Sequence, residues 1–141
     1  MIEMLVEAGS GHTAGPLGAV EFFVSMYSGK LLKFDNNKPD WDERGRLVIS
    51  PGHYAPVLYV VMAMAGFFPK EELMTLRRLG SRLQGHPIRD MLPGVENCSG
   101  SLGQGLSVAV GMAVAARIQK KNWRVVAFLS DGEHNEGQIW E

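Results

Sequence analysis

The chain has little of several things. It holds one cysteine, Cys98, so no disulfide closes within it, and that usage fits a reducing compartment. It has no surplus of either charge: 14 Lys and Arg against 15 Asp and Glu give a formal net charge of -1. That balance lacks the electrostatic footprint of a nucleic-acid or membrane-surface binder. No apolar run is long enough to span a bilayer. The opening Met1-Ile2-Glu3-Met4 lacks the basic flank of a secretory signal. No internal repeat is visible. No dinucleotide fingerprint follows the first strand and no Walker pattern occurs, which weakens a generic nucleotide-binding domain. The expectation is a cytoplasmic protein with neither nucleic acid nor membrane as partner.

What is present suits one domain: 141 residues, 45% of them hydrophobic, enough for a core. Both ends are expected to be cut. Residues Ile2 to Glu7 already read as helix, and Glu136 to Glu141 read as a helix entering its first turns. A helix that stops there has no length over which to bury its apolar face. A fragment of a larger subunit is the expectation.

Between the ends, helices alternate with short apolar strands. Pro16 suits a first helical turn, and Leu17, Val20, Val24 and Tyr27 then recur at helical spacing. Arg46 to Ser50 reads as a buried strand, broken by Pro51-Gly52-His53. A helix is expected from about Ala55 to Ala65, with Val57, Val60, Val61 and Met64 on one face. Pro69 opens another, acidic early at Glu71 and Glu72 and basic late at Arg77 and Arg78, until Gly80 ends it. From Leu102 to about Ile118 nearly every face is small and apolar, so this helix is expected to be buried on most sides. Arg124 to Leu129 is apolar without alternation, as in a parallel sheet covered on both faces. The fold class predicted is α/β, a parallel sheet covered by helices.

Three of the four histidines follow glycine: Gly11-His12, Gly52-His53 and Gly85-His86. Imidazoles at such hinges move protons near neutral pH. The last strand runs into Ser130-Asp131-Gly132, and a carboxylate at a strand end can hold a metal. A turn after a strand accounts for the Asp131-Gly132 pair equally well. Ser99-Gly100-Ser101-Leu102-Gly103 opens a helix, where glycines let backbone approach a ligand and free amides favour an anion or a polar ring edge. Cys98 reads as a small buried residue without a helper for nucleophilic chemistry, and Glu133 and Glu136 read as helix-start carboxylates.

Taken in order, Ser10-Gly11-His12, Ser50-Pro51-Gly52-His53, Gln84-Gly85-His86-Pro87, Leu92-Pro93-Gly94-Val95-Glu96, Gly100 to Ser107 and Ser130-Asp131-Gly132-Glu133 with Glu136-Gly137 resemble the amino-terminal, diphosphate-binding domain of transketolase. The close spacing resembles the split form, whose amino-terminal half is a separate polypeptide. The resemblance implies the thiamine-diphosphate-binding fold, here incomplete. It implies thiamine diphosphate with Mg2+ or Ca2+, and transfer of a two-carbon ketol unit from a ketose phosphate to an aldose phosphate. The cofactor carries the hard chemistry; the protein places it and shuttles protons.

Residue by residue, the resemblance makes Asp131 the metal ligand and Ser130, Asp131 and Gly132 the diphosphate turn. His53 matches a histidine near the diphosphate, and Gly100, Ser101 and Leu102 match the backbone that meets the aminopyrimidine. His86 would contact the donor's terminal hydroxyl, and His12 would exchange a proton with the acceptor's oxygen. Glu136 and Glu141 fall at the family's dimer interface. Ser130 stands where many relatives have glycine, and Thr13 and Ser101 where many have proline. The asparagine that completes the metal shell, the glutamate that activates the cofactor, and most sugar-phosphate-binding basic residues lie outside this stretch. The implied partners are sugar phosphates and a pyrimidine-binding half, in a homo-oligomer or heterotetramer. A dihydroxyacetone synthase or deoxyxylulose-phosphate synthase type of enzyme, or a non-catalytic interaction subunit of the same fold, is the alternative.

Overall fold

The computed structural model describes residues 1–141. Helix α1 (Ile2–Ala8) stops at Gly9, whose φ of 61° is the left-handed cap that glycine adopts without strain. Helices α2 (Ala14–Gly18) and α3 (Val20–Tyr27) replace the single helix expected after Pro16. Ala19 leaves helical geometry between them, at φ -110° and ψ 7°. Gly15, Pro16 and Gly18 are poor helix formers, so little holds the two turns together. The break resets the buried stripe. Ala19, Phe23, Met26 and Tyr27 face the core, while Leu17 and Val24 of the expected face are exposed.

Strand β1 (Arg46–Ile49) is buried along its whole length. It feeds a single 3-10 turn, Gly52–Tyr54, and then α4 (Ala55–Met64), which carries a proline in its first turn. The expected one-sided face of α4 is corrected: Val57, Leu58, Tyr59, Val61 and Met62 are all buried, and Met64 is exposed. The helix is sunk in the core rather than laid on it. The helix expected from Pro69 is a 3-10 segment, Lys70–Thr75. The residues just beyond it explain the difference. Leu76 is buried, and the Arg77 N–H donates to the Leu83 carbonyl at 2.9 Å with Arg77 at φ 61°. The chain turns there instead of continuing, so Arg77 and Arg78 are not a helix end. Arg78 pairs with Glu7 of α1.

After a long loop, α5 (Gln104–Ile118) returns the chain to β2 (Val125–Phe128), and a last turn forms α6 (Gly137–Trp140). β1 and β2 pair in parallel, with Leu47 opposite Val126 and Ile49 opposite Phe128. The expected α/β arrangement is present, as a two-stranded parallel sheet with helices.

The two edges of this sheet differ. On β1, the Asn97 side chain takes the place of a strand. Its Oδ1 accepts the Ile49 N–H and its Nδ2 donates to the Ile49 carbonyl, each at 3.1 Å. On β2, the Arg124 and Phe128 carbonyls accept N–H groups of Arg46 and Ser50. Val125, Ala127 and Leu129 therefore point their backbone groups to the other side, where the sheet has no third strand. Strand β2 is only half-buried, and α5 buries just Gly105, Ala109 and Ala116. Val110, Val114 and Ile118 are exposed, which corrects the expectation of a helix covered on most sides. The core of 21 buried residues holds none from α5 or β2. Cys98 is exposed, not buried, because it is Asn97 beside it that turns inward. No helix is long and apolar enough to cross a membrane.

Candidate functional site

The carboxyl ends of β1 and β2 open on the same side because the strands are parallel, and that end is where such sheets hold ligands. The loop after β1 carries His53. Its ring centroid lies 5.1 Å from that of His12, at the start of α2, and 4.8 Å from that of Tyr54. Tyr54 in turn packs on Phe128 at 4.8 Å, and Phe128 on Phe23 at 5.1 Å. A column of rings thus runs from the core to His12. It seats His53 on a rigid base.

His86 arrives from the long loop by a close approach at Gly52. A Cβ added there would stand 2.9 Å from His86 Cδ2 and from the Ser99 carbonyl carbon, and 3.0 Å from the Gly100 nitrogen. Only glycine lets these three stretches meet. The structure therefore brings His12 against the His53 ring and His86 against Gly52, so that all three histidines border the turn after β1. Burial, foremost, and the neighbouring His12 and His86 hold the His53 imidazole below its ordinary pKa, with Glu133 opposing. At neutral pH His53 is an uncharged ring with a lone pair free to accept a proton.

The loop after β2 completes the site. Ser130 is buried, and Asp131 and Gly132 are exposed at its tip. Asp131 lies close enough to Tyr54 for its charge to add to the burial that raises the phenol's pKa. Asp131 stands three residues beyond Phe128, whose ring packs on Tyr54 in that column. A Cβ built at Gly132 meets nothing within 4 Å, so that backbone lies open to an incoming group.

The third wall is the start of α5. Gly103 caps it at φ 80°. Gly105 packs so tightly that a Cβ would stand 2.5 Å from Ser50 Cα. Beside it is a cavity of about 180 Å3, lined by Ser50, Asn97, Ser99, Ser101 and Gln104 among others. Pockets for whole small molecules run to roughly 300–1,000 Å3, so this one admits part of a ligand. Gly100 and Ser101 are exposed beside it and Leu102 is half-buried.

A hard divalent cation takes six or more oxygen donors. No three His, Cys, Asp or Glu side chains come close enough together to hold a metal ion between them. Asp131 fits as one carboxylate donor on an open turn; the other oxygens must come from the ligand or from beyond this chain. Glu136 and Glu141 are exposed, and Glu136 packs its Cβ against Gly103.

Sequence reasoning misses two participants. Ser50 stands in the Ser50-Pro51-Gly52-His53 motif without a role of its own, yet its Oγ accepts the Gly105 N–H at 3.0 Å. Glu133 reads as a helix-start carboxylate, yet it is wholly buried. The motifs mark where both residues stand but not their roles, because Ser50 and Glu133 meet each other and the start of α5 across long sequence separations.

A parallel α/β layer with glycine loops and imidazoles at its strand ends is a ligand-binding domain of the kind that holds phosphorylated cofactors. Residues 1–137 match the family described as transketolase, thiamine diphosphate binding domain. The chain is 42% identical over 140 residues to the 6-deoxy-6-sulfo-D-fructose transketolase subunit SqwG of a Clostridium species, covering 99% of this chain and 50% of that protein. It is 38% identical over 141 residues to human transketolase, covering 99% of this chain and 22% of that one. Among solved structures, transketolase from Leishmania mexicana superposes with a TM-score of 0.89 at 31% identity, over 97% of this chain and 22% of the other. Transketolase from Campylobacter jejuni gives 0.86 at 33%, with the same coverage. The chain belongs to the transketolase family, in its thiamine diphosphate binding domain. It spans about half the length of subunit relatives such as SqwG and about a fifth of human transketolase.

Proposed function

We propose that this chain supplies the diphosphate-and-metal half of a transketolase-type site, which moves a two-carbon ketol unit from a ketose phosphate to an aldose phosphate. The observation that carries this reading is the approach of His12 to the His53 ring and of His86 to Gly52, at the strand end that also carries the Asp131 turn. A scaffold subunit has no need to keep three imidazoles and a carboxylate at one end of its sheet.

In this reading Asp131 donates a carboxylate oxygen to Mg2+ or Ca2+, and Ser130 and Gly132 offer backbone to the diphosphate. When bound, thiamine diphosphate supplies the electron sink that lets a carbon–carbon bond break and re-form. The chain's own residues position and protonate. Gly100, Ser101 and Leu102 present backbone to the aminopyrimidine edge. His53 stays neutral and hydrogen-bonds near the diphosphate. His86 holds the donor's terminal hydroxyl through a ring nitrogen. His12, exposed at the rim, gives a proton to the acceptor's oxygen or takes it back.

The remaining walls come from a pyrimidine-binding half, as a further stretch of polypeptide or as a second subunit, with Glu136 and Glu141 at the interface. The exposed Val110, Val114 and Ile118 of α5 and the open edge of β2 fit a surface that such a half covers.

Calorimetric titration of the complete enzyme with thiamine diphosphate and Mg2+ tests the site. Asp131→Ala is expected to weaken metal-dependent binding about 100-fold or more; unchanged affinity removes Asp131 from that role. A coupled assay with ketose phosphates, 6-deoxy-6-sulfofructose and apulose 4-phosphate as donors tests the reaction, since two subunit relatives are named for the latter two sugars. No ketol transfer with any of them overturns the reaction.

A further inference from the structure

We infer that Glu133 is a positioning residue, whose carboxylate locks together the three loops that form the cofactor site; this rests on the cofactor-binding role proposed for those loops.

Glu133 is wholly buried, at 0% exposure. None of the chain's ion pairs includes it. A buried carboxylate without a cation is costly unless donors surround it, and here they do. Oε1 accepts the Ser50 hydroxyl and the Gly103 N–H, the latter at 2.9 Å. Oε2 accepts the Ser130 N–H at 2.8 Å and the Ser130 hydroxyl at 3.3 Å. The Ser50 oxygen passes the network on by accepting the Gly105 N–H at 3.0 Å.

A backbone N–H, which can only donate, reaches each oxygen of Glu133, so the position calls for an acceptor at both ends of the group, which a carboxyl group supplies and an amide does not. Its donors come from three places: the end of β1, the cap of α5 and the end of β2. These stretches carry His53, Gly100 to Leu102, and Asp131. One side chain therefore sets their relative placement, although 83 residues separate Ser50 from Glu133. The core takes no fully enclosed residue from α5 or β2; Val126 and Phe128 of β2 only pack against it, so apolar contact leaves the placing of the three loops to the Glu133 network. Binding groups must be held to within about half an ångström to act together, and a satisfied polar network supplies that stiffness.

Glutamine matches glutamate in shape and differs in one way that matters: its NH2 would face an N–H. Glu133→Gln in the complete enzyme, measured well below its melting temperature, is expected to raise the Kd for thiamine diphosphate with Mg2+ at least tenfold. The fall in kcat at saturating cofactor should be by a smaller factor, because Glu133 touches no reacting group. Amide exchange at Gly103 and Gly105 should quicken. Ser50→Ala cuts the same network and keeps the carboxylate; about a threefold rise in Kd is expected. The double variant should lose no more than Glu133→Gln alone, the mark of one coupled unit.

A Kd within twofold of wild type in both variants overturns the inference, even if melting temperatures fall. Should Glu133→Gln not fold, Ser50→Ala decides. Absence of cofactor binding by the wild-type enzyme would instead overturn the reading of the site itself, and this inference with it.

Discussion

The two strands are neighbours of equal length and similar apolar character, yet they live in different surroundings. β1 is buried from end to end, and its Leu47 and Ile49 share the core with α4, most of whose residues are buried too. β2 is half-exposed, and α5 beside it leaves valines on the surface. The difference is one of neighbours, not of composition. β1 has a strand on one side and the Asn97 amide on the other. Bidentate pairing of Arg44 with Glu96, at 2.7 and 2.8 Å, ties the chain leading into β1 to the stretch that carries Asn97. β2 has a partner on one side only. A run of Val125-Val126-Ala127-Phe128 has the composition of a central strand, and it becomes one only when something lies against its second edge.

Substitutions at register partners sharpen the contrast. Leu47→Ala on β1 is expected to cost about 3 kcal/mol in denaturant unfolding. Asn97→Ala strips both Ile49 backbone groups of their partner inside the protein and should cost about 2 kcal/mol. Val126→Ala, opposite Leu47, should cost about 1 kcal/mol or less. Equal losses at positions 47 and 126 would mean that the two strands are equally enclosed in the complete protein. The smallest expected effect is one of pH. His53 has its pKa lowered by folding, from an unfolded value of about 6.5. Between those two values the unfolded chain binds more protons, so stability falls as pH drops through 6.5 toward the folded pKa. Wild type should therefore lose more melting temperature on acidification across that window than His53→Gln; parallel curves would refute the burial of a neutral ring.

Much of the site was legible in the sequence, because glycine-histidine pairs and the strand-end Ser130-Asp131-Gly132 are local signals. Six such motifs in order point to the family that the comparisons show. Helix existence was legible in part: α4 and α5 stand where spacing and composition put them, while the segment after Pro69 is 3-10. Helix faces were less so. A stripe read through Leu17, Val20, Val24 and Tyr27 fails once Ala19 breaks the helix, since a single non-helical residue rotates everything beyond it. The expected burial of α5 rests on apolar composition, which says what a helix prefers and not what is there to cover it.

Local chemistry is therefore what the amino-acid order determined: where helices start and stop, which stretches become strands, and which residue types stand at their ends. Tertiary structure alone decided that three histidines border one turn, that an asparagine serves as a strand edge, and that Glu133 sits at the junction of three loops. Each of those depends on chain segments tens of residues apart being brought within a few ångströms. No spacing rule along the chain encodes such a distance; only packing in three dimensions sets it.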